Sequence, residues 1–281
     1  MKNKNLVIQL CIVLFGALLF LPGLGDVRLF DWDEINFAES AREMLVTGDY
    51  LNVQINYEVF WEKPPLFIWM QALCMKIFGV GEMAARLPNA IAGILTLLVL
   101  FNIGRKLGGD KFGLLWVILY VSSILPFFYF KSGIIDPWFN LFIFLGIYFF
   151  SIYDKQMKNA ALSALFIGLA ILTKGPVAFL IFALTFFVYL VYKRFRFDFR
   201  WKDVFVYAAV LCVVGGAWFI LQIATGNYTI IKDFILYQIR LFETQDAGHG
   251  GFLLYHFVIL FAGVFPASIL ALPVFRRRAL Q

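Results

Sequence analysis

The sequence predicts an all-α, polytopic integral membrane protein of about eight spanning helices, with short juxtamembrane helices along its outer face. Three observations carry that prediction. The chain is 62% hydrophobic and only 15% charged, with a mean hydropathy of +0.83, where a soluble domain carries roughly a quarter charged residues. Uncharged runs of about 20 residues recur, each long enough to cross ~30 Å of hydrocarbon as a helix. Period-two alternation is absent, and a spanning backbone must be helix or closed barrel.

The first span covers 6–25. Lys2 and Lys4 precede its apolar run from Leu6 to Leu21. No small-x-small cleavage site follows, so it reads as an uncleaved signal anchor. In the loop 26–63, Asp31-x-x-Glu34 has the form of an aspartate capping box. Ile35, Ala38, Ala41 and Leu45 then recur at helical spacing, and Gly48 is a stop. Residues 64–79 are apolar but only 16 long, with Gln71 and Lys76 inside. They read as an interfacial helix opened by Pro64-Pro65. Further spans are expected at 86–104, 112–130, 137–153, 160–173, 176–192, 204–224 and 252–274. Asp136-Pro137 fits an N-cap with proline at N1, and Lys174-Gly175-Pro176 fits a helix end. A single domain over 1–281 is expected, without repeats or low-complexity segments.

Lysine and arginine bias orients such a chain. With the N-terminus inside and the spans alternating, Lys2, Lys4, Arg105, Lys106, Lys111, Lys155, Lys158, Arg276, Arg277, Arg278 and the five cations of Lys193–Lys202 fall inside, which is 15 of the 24 basic residues. Only Asp110, Asp154, Asp198 and Asp203 of the 18 acids join them. Counting 64–79 as a span would reverse every later loop. The same asymmetry explains a net charge of +6 without a nucleic-acid partner. Membrane lipid is the expected partner of the basic loop Lys193–Lys202.

Several classes lose support. Cys11, Cys74 and Cys212 lie far apart in apolar surroundings and read as packing residues. No dinucleotide fingerprint or Walker pattern occurs. The span centres carry essentially no ionisable residue, only Gln9, Asn102, Asn140 and Gln222 as larger polar groups, which argues against ion-coupled transport. Chemistry is therefore expected at the outer rim, on a donor carried in the membrane. Group transfer from a lipid-linked phosphate needs a carboxylate to take the acceptor's proton and cations to stabilise the departing phosphate. Asp33-Glu34 and Glu62-Lys63-Pro64-Pro65 supply both kinds of group at that rim. A lipid-binding or flippase-type protein that holds such a donor without transferring it is the alternative.

The strings FDWDEINFAESAREMLVTGDY, FWEKPPLFIWMQALCMKIFG and AARLPNAIAG, followed by GIIDPW, LAILTKGPVAF and HGGFLLYHFVILFAGVFPASILALP, resemble the C-type glycosyltransferases of the protein mannosyltransferase and aminoarabinose transferase branch. The resemblance runs in order over about 28–275. It implies inverting transfer of a sugar from a polyprenyl-phosphate donor to a lipid, glycan or protein hydroxyl at the extracytoplasmic face, in a bacterial inner membrane. By resemblance Asp33 matches the catalytic aspartate, Lys63 the lysine that contacts the lipid phosphate, and Asp136 a second loop acid. Glu62 and His249 fall near a divalent-metal position. Glu34 joins Asp33 and Asp136 as an expected catalytic residue, and Arg86 and Lys174 join Lys63 as expected phosphate cations. The chain departs from the family pattern at Asn36, where aminoarabinose transferases commonly carry arginine, and this leaves sugar and acceptor open. It is also short, so a fragment or reduced member lacking the later spans and soluble domain of longer relatives is expected.

Overall fold

The computed structural model describes residues 2–30, 32–196, 199–243 and 254–275, with side chains described for 4–30, 32–196, 199–240 and 254–273. These residues form two compact units, one from 2–34, 81–134 and 254–275, the other from 35–80 and 135–243. Nearly all regular structure is helix, as the apolar runs predict.

In the first unit, α1 (Lys2–Phe20) packs along α4 (Glu82–Val121). Gly93 makes this close: a Cβ there would stand 2.8–2.9 Å from the rings of Phe130 and Phe20, which meet edge to face at 5.1 Å. Gln9 and Asn102, two of the polar residues expected within spans, satisfy each other at 2.7 Å. The 40 residues of α4 are not one rod. Gly108 and Gly109 leave helical geometry, Gly109 at φ 82°, and a Cβ on Gly104 would lie 2.8 Å from the Cα of Gly113. Nine residues of straight helix would separate those glycines by about 13 Å, so the chain reverses there. The expected spans 86–104 and 112–130 are thus the two limbs of a helical hairpin. Its second limb breaks at Ser122-Ser123, whose hydroxyls bond the Leu119 carbonyl at 3.2 and 2.9 Å in competition with the helix ladder. It resumes as α5 (Ile124–Phe130). The expected last span is interrupted at Pro266, between α12 (Tyr255–Gly263) and α13 (Ala267–Ala271).

α2 (Trp32–Thr47) continues from the first unit into the second, which also holds a two-residue hairpin, β1 (Gln54–Ile55) and β2 (Glu58–Val59), with Gln54 opposite Val59. α3 (Leu66–Phe78) follows the double proline as expected. α7 (Met157–Lys174) packs between α6 (Asp136–Ser151) and α9 (Trp201–Gly215). Small residues permit both contacts: Gly146 accommodates Ile167, and Gly168 faces Gly215, with a Cβ on Gly168 only 2.9 Å from the Gly215 nitrogen. Stripes of this kind are how helices approach closely without an aqueous hydrophobic drive. α8 (Val177–Tyr192) matches its expected span. The run 204–224 does not form one straight helix, because α9 and α10 (Ala217–Ala224) meet at 59°. Gly216 sits at the bend, where a Cβ would collide with the Cys212 carbonyl.

α11 (Tyr228–Glu243) lies in the stretch read as outer loop. Ile230 and Phe234 on its inner face pack against Trp218 and Phe219, with Phe219 and Phe234 rings 5.4 Å apart. Outward faces of the apolar helices are themselves apolar, with Leu18, Leu184, Val213 and Phe257 each more than 60% exposed. Water would not tolerate such continuous surfaces, whereas lipid does. Met157–Lys174 is long and apolar enough to span, the two-limbed run Glu82–Val121 contains a stretch that is, and the bent α9–α10 pair qualifies as another. The chain is an integral membrane protein.

Candidate active site

In the first unit, Glu34 stands in the first turn of α2 and is completely buried. Its carboxylate takes two charge-assisted bonds from Arg86, Nε to Oε1 at 2.7 Å and a terminal nitrogen to Oε2 at 2.9 Å. The Gly133 N–H donates to Oε1 at 2.6 Å and the Phe30 N–H to Oε2 at 3.1 Å. Four donors fill the roughly four acceptor positions of a carboxylate. Burial works to raise this carboxyl's pKa, but the bonds from Arg86, Gly133 and Phe30 outweigh it and hold the group below its ordinary range. Glu34 is therefore a fixed anion with no open lone pair, unsuited to taking a proton. The returning bond of Glu34 reaches the Phe30 N–H, whereas the expected box would close on Asp31, which lies outside the described residues.

Arg86 is 2% exposed. Besides Glu34 it donates to the carbonyls of Leu24 at 2.8 Å, Val27 at 2.6 Å and Arg28 at 3.0 Å. All five guanidinium N–H groups are thereby used, and a phosphate would find none open. Arg86 ties the loop after α1 to the start of α2. Asn89, one turn further along α4, does the same for the other side, donating to the carbonyls of Ser132 and Ile134 at 2.6 Å each. Asp33, beside Glu34 on this pinned turn, is half-buried.

In the second unit, Glu62 and Lys63 meet α11. The Tyr237 hydroxyl donates to Glu62 Oε2 at 3.0 Å, and Lys63 Nζ lies 3.9 Å from the same oxygen. Lys63 Nζ also stands 5.2 Å from the centre of the Tyr237 ring, and the Arg240 guanidinium 5.4 Å from it, both within cation–π range. Trp61 completes the cluster, its ring 5.7 Å from that of Tyr237. Asp136 and Lys174 form a second ion pair at 2.8 Å, joining the start of α6 to the end of α7. Gly175, at φ 89°, ends α7 directly under the Phe234 ring. Phe234 and Tyr237 lie three apart on α11 and so share one face. That face links the Lys174 end of α7 to the Glu62-Lys63 loop.

The structure thus joins expected residues pairwise: Glu34 with Arg86, Glu62 with Lys63, and Asp136 with Lys174. Tyr237 and Arg240 escaped the sequence reading, though Ile230, Phe234 and Tyr237 recur at helical spacing in a run flanked by charge. His249 lies outside the described residues. Among the described residues no three His, Cys, Asp or Glu side chains gather as a metal site. Of the expected metal pair the described residues include only Glu62, whose oxygen is engaged by Tyr237 and Lys63.

Residues 62–219, more than half of the chain, match the model of the dolichyl-phosphate-mannose-protein mannosyltransferase family. An "uncharacterized protein" of Aquifex aeolicus is 30% identical over 243 residues, covering 84% of this chain and 47% of its own. The undecaprenyl phosphate-alpha-4-amino-4-deoxy-L-arabinose arabinosyl transferase of Edwardsiella ictaluri is 26% identical over 265 residues, covering 90% of this chain and 47% of its own. Among solved structures, ArnT from Cupriavidus metallidurans in the apo state superposes with a TM-score of 0.81 at 21% identity, over 98% of this chain and 50% of that one. The same protein bound to undecaprenyl phosphate gives 0.79 over the same shares. At this identity the likeness establishes the fold, a polytopic membrane architecture. The chain spans about half the length of these relatives.

Proposed function

The chain belongs to the dolichyl-phosphate-mannose-protein mannosyltransferase family, and from that premise we propose that it transfers a sugar from a polyprenyl-phosphate donor to an acceptor hydroxyl. The observation that carries the proposal is the clustering in the second unit. Lys63 and Arg240 flank Tyr237, and Lys174 reaches the same face of α11 through Gly175 and Phe234. Cations held by fixed partners at an anionic leaving group stabilise developing charge without reorganising.

In the reaction proposed, the acceptor oxygen attacks the anomeric carbon and its proton passes to Asp33. The bond from that carbon to the phosphate oxygen breaks, and the polyprenyl phosphate leaves with the bonding pair. Attack opposite the leaving group inverts the anomeric centre. Lys63 and Lys174 receive the phosphate; Glu62 and Tyr237 orient Lys63, and Asp136 orients Lys174. Glu34 and Arg86 become positioning residues that fix the turn bearing Asp33. The charge asymmetry of the loops supports an extracytoplasmic site in a bacterial inner membrane. Lipid, glycan and protein hydroxyls are the acceptor classes, since Asn36 stands where an expected arginine is missing.

The test uses the purified chain with polyprenyl phosphates carrying different labelled sugars, measuring free polyprenyl phosphate released in the presence of membrane extract as acceptor. Acceptor-dependent release supports transfer. Donor binding without release from any sugar would overturn it in favour of a non-catalytic lipid-binding protein.

A further inference from the structure

At the other end of the second unit lies a cavity of about 550 Å³, within the size range of ligand sites. It is lined by Phe150 and Tyr153 at the end of α6, Ala160 and Ser163 at the start of α7, Phe182 and Phe186 on α8, and the start of α9. Fourteen residues of α6 separate Phe150 from Asp136, roughly 21 Å at 1.5 Å per residue, so the cavity is remote from the Asp136–Lys174 pair. Its walls are aromatic, and its α9 side is open: Phe199, Trp201 and Val204 are 36%, 85% and 39% exposed.

Two polar features stand at different depths. At the mouth, Asp203 is held by Arg200 at 2.8 and 3.0 Å and by the Tyr153 hydroxyl at 2.6 Å, a closed set that needs no ligand. Deeper, the Tyr207 hydroxyl is enclosed and has the Ser163 hydroxyl as its polar neighbour, without a well-formed hydrogen bond between them. Ser163 itself is turned to the Gly146 carbonyl at 2.8 Å. A buried hydroxyl with a poorly placed acceptor gains from a better one, and Tyr207 lines the cavity. The sequence from Lys193 to Lys202 alternates cations with aromatic residues, and its Phe199 and Trp201 line the cavity. Lys193, Arg194, Arg196 and Lys202 are exposed. Such a segment suits an anionic headgroup layer.

We propose that this cavity binds one acyl chain of an anionic glycerophospholipid, with the lipid phosphate on Arg194, Arg196 and Lys202 and an ester carbonyl accepting the Tyr207 hydroxyl proton. The depths agree, because Tyr207 lies six residues beyond Trp201 on α9, roughly 9 Å along the helix axis. A bound lipid of this kind fills the aromatic chamber and joins α6, α7, α8 and α9 at the end away from the reaction proposed above. The proposal does not depend on that reaction.

The test exchanges the detergent-solubilised full chain against phosphatidylglycerol or phosphatidylcholine of identical acyl chains and measures retained lipid by native mass spectrometry. The wild type is expected to retain about one phosphatidylglycerol and to prefer it at least tenfold. Arg194→Gln with Arg196→Gln, both on exposed positions, removes most of that preference, at roughly fivefold per cation. Ala160→Phe fills the cavity and lowers retention of both lipids at least tenfold. Equal retention of the two lipids by the wild type would overturn the proposal. So would an unchanged preference in the double glutamine variant, or wild-type retention in a folded Ala160→Phe.

Discussion

Replacing Arg86 with methionine tests the clasp around Glu34 and separates a structural hub from a phosphate site. The substitution removes five hydrogen bonds: two to Glu34 and one each to the Leu24, Val27 and Arg28 carbonyls. Both charged side chains are almost wholly buried, 3% and 0% exposed, so solvent offers little compensation. Breaking a buried pair by removing one partner costs about 3–5 kcal/mol. At 2–4 °C per kcal/mol this is roughly 6–20 °C in unfolding temperature. Thermal unfolding in detergent, followed by tryptophan fluorescence and by size exclusion, measures it.

A paired substitution sharpens the point. In an ordinary buried ion pair, replacing both partners by apolar residues of similar size restores stability. Here Glu34→Leu with Arg86→Met leaves the buried Leu24 carbonyl and Gly133 N–H without partners, at about 1–3 kcal/mol for each orphaned buried group, and frees the half-buried Val27, Arg28 and Phe30 groups. The double variant should be no more stable than Arg86→Met alone. The reasoning fails if the single change costs less than about 1 kcal/mol or if the double variant returns to wild-type stability. It also fails if Arg86→Met leaves stability intact while abolishing donor affinity, because that would return Arg86 to the phosphate.

Three further outcomes follow from the same geometry. The Glu34 carboxyl is held below its ordinary 4.5, so its contribution is complete above that pH and disappears as pH falls through the depressed value. A stability–pH profile of Glu34→Gln should lose this acid limb, and an unchanged limb would remove Glu34 from the account. Lys63→Ala should raise the donor Kd about tenfold, the scale of one charge-assisted bond. Tyr237→Phe should raise it less, by freeing Glu62 to pull Lys63 aside, and an unchanged Kd in Lys63→Ala would exclude its phosphate role. Gly113→Leu places a side chain against the Phe101 carbonyl, only 2.7 Å from the Cβ position. The hairpin should lose about 1–3 kcal/mol or more, seen as a lower unfolding temperature; full stability would mean the two limbs do not pack there.

The spans were legible because lipid demands long uncharged runs, and their lengths alone located α1, α6, α7 and α8. Breaks inside those runs were not legible. Gly215-Gly216 and Ser122-Ser123 look like ordinary small residues within apolar sequence, and only packing decides whether the helix bends there. The connection at 105–111 was legible as a loop between two expected spans because charged residues fill it, and the reversal falls there at Gly108-Gly109. α11 was missed because Lys232, Asp233 and Arg240 made its sequence resemble a loop, although Ile230, Phe234 and Tyr237 keep helical spacing. For the site, the Glu62-Lys63 and Asp33-Glu34 clusters were visible as charges at the ends of apolar runs. Their partners were not, since Arg86 lies 52 positions from Glu34 and Tyr237 lies 175 from Glu62. Nothing in the sequence showed that the bonds of Glu34 and Arg86 are complete, which is what supports the positioning role proposed for them.

Asp33→Asn tests the central claim most directly. Sugar transfer is measured as release of polyprenyl phosphate under single-turnover conditions, alongside the donor Kd of the same preparation. Loss of a general base lowers the rate about 10²- to 10⁴-fold, and the account predicts that loss with donor affinity unchanged within twofold. Turnover by Asp33→Asn at the wild-type rate would contradict the account.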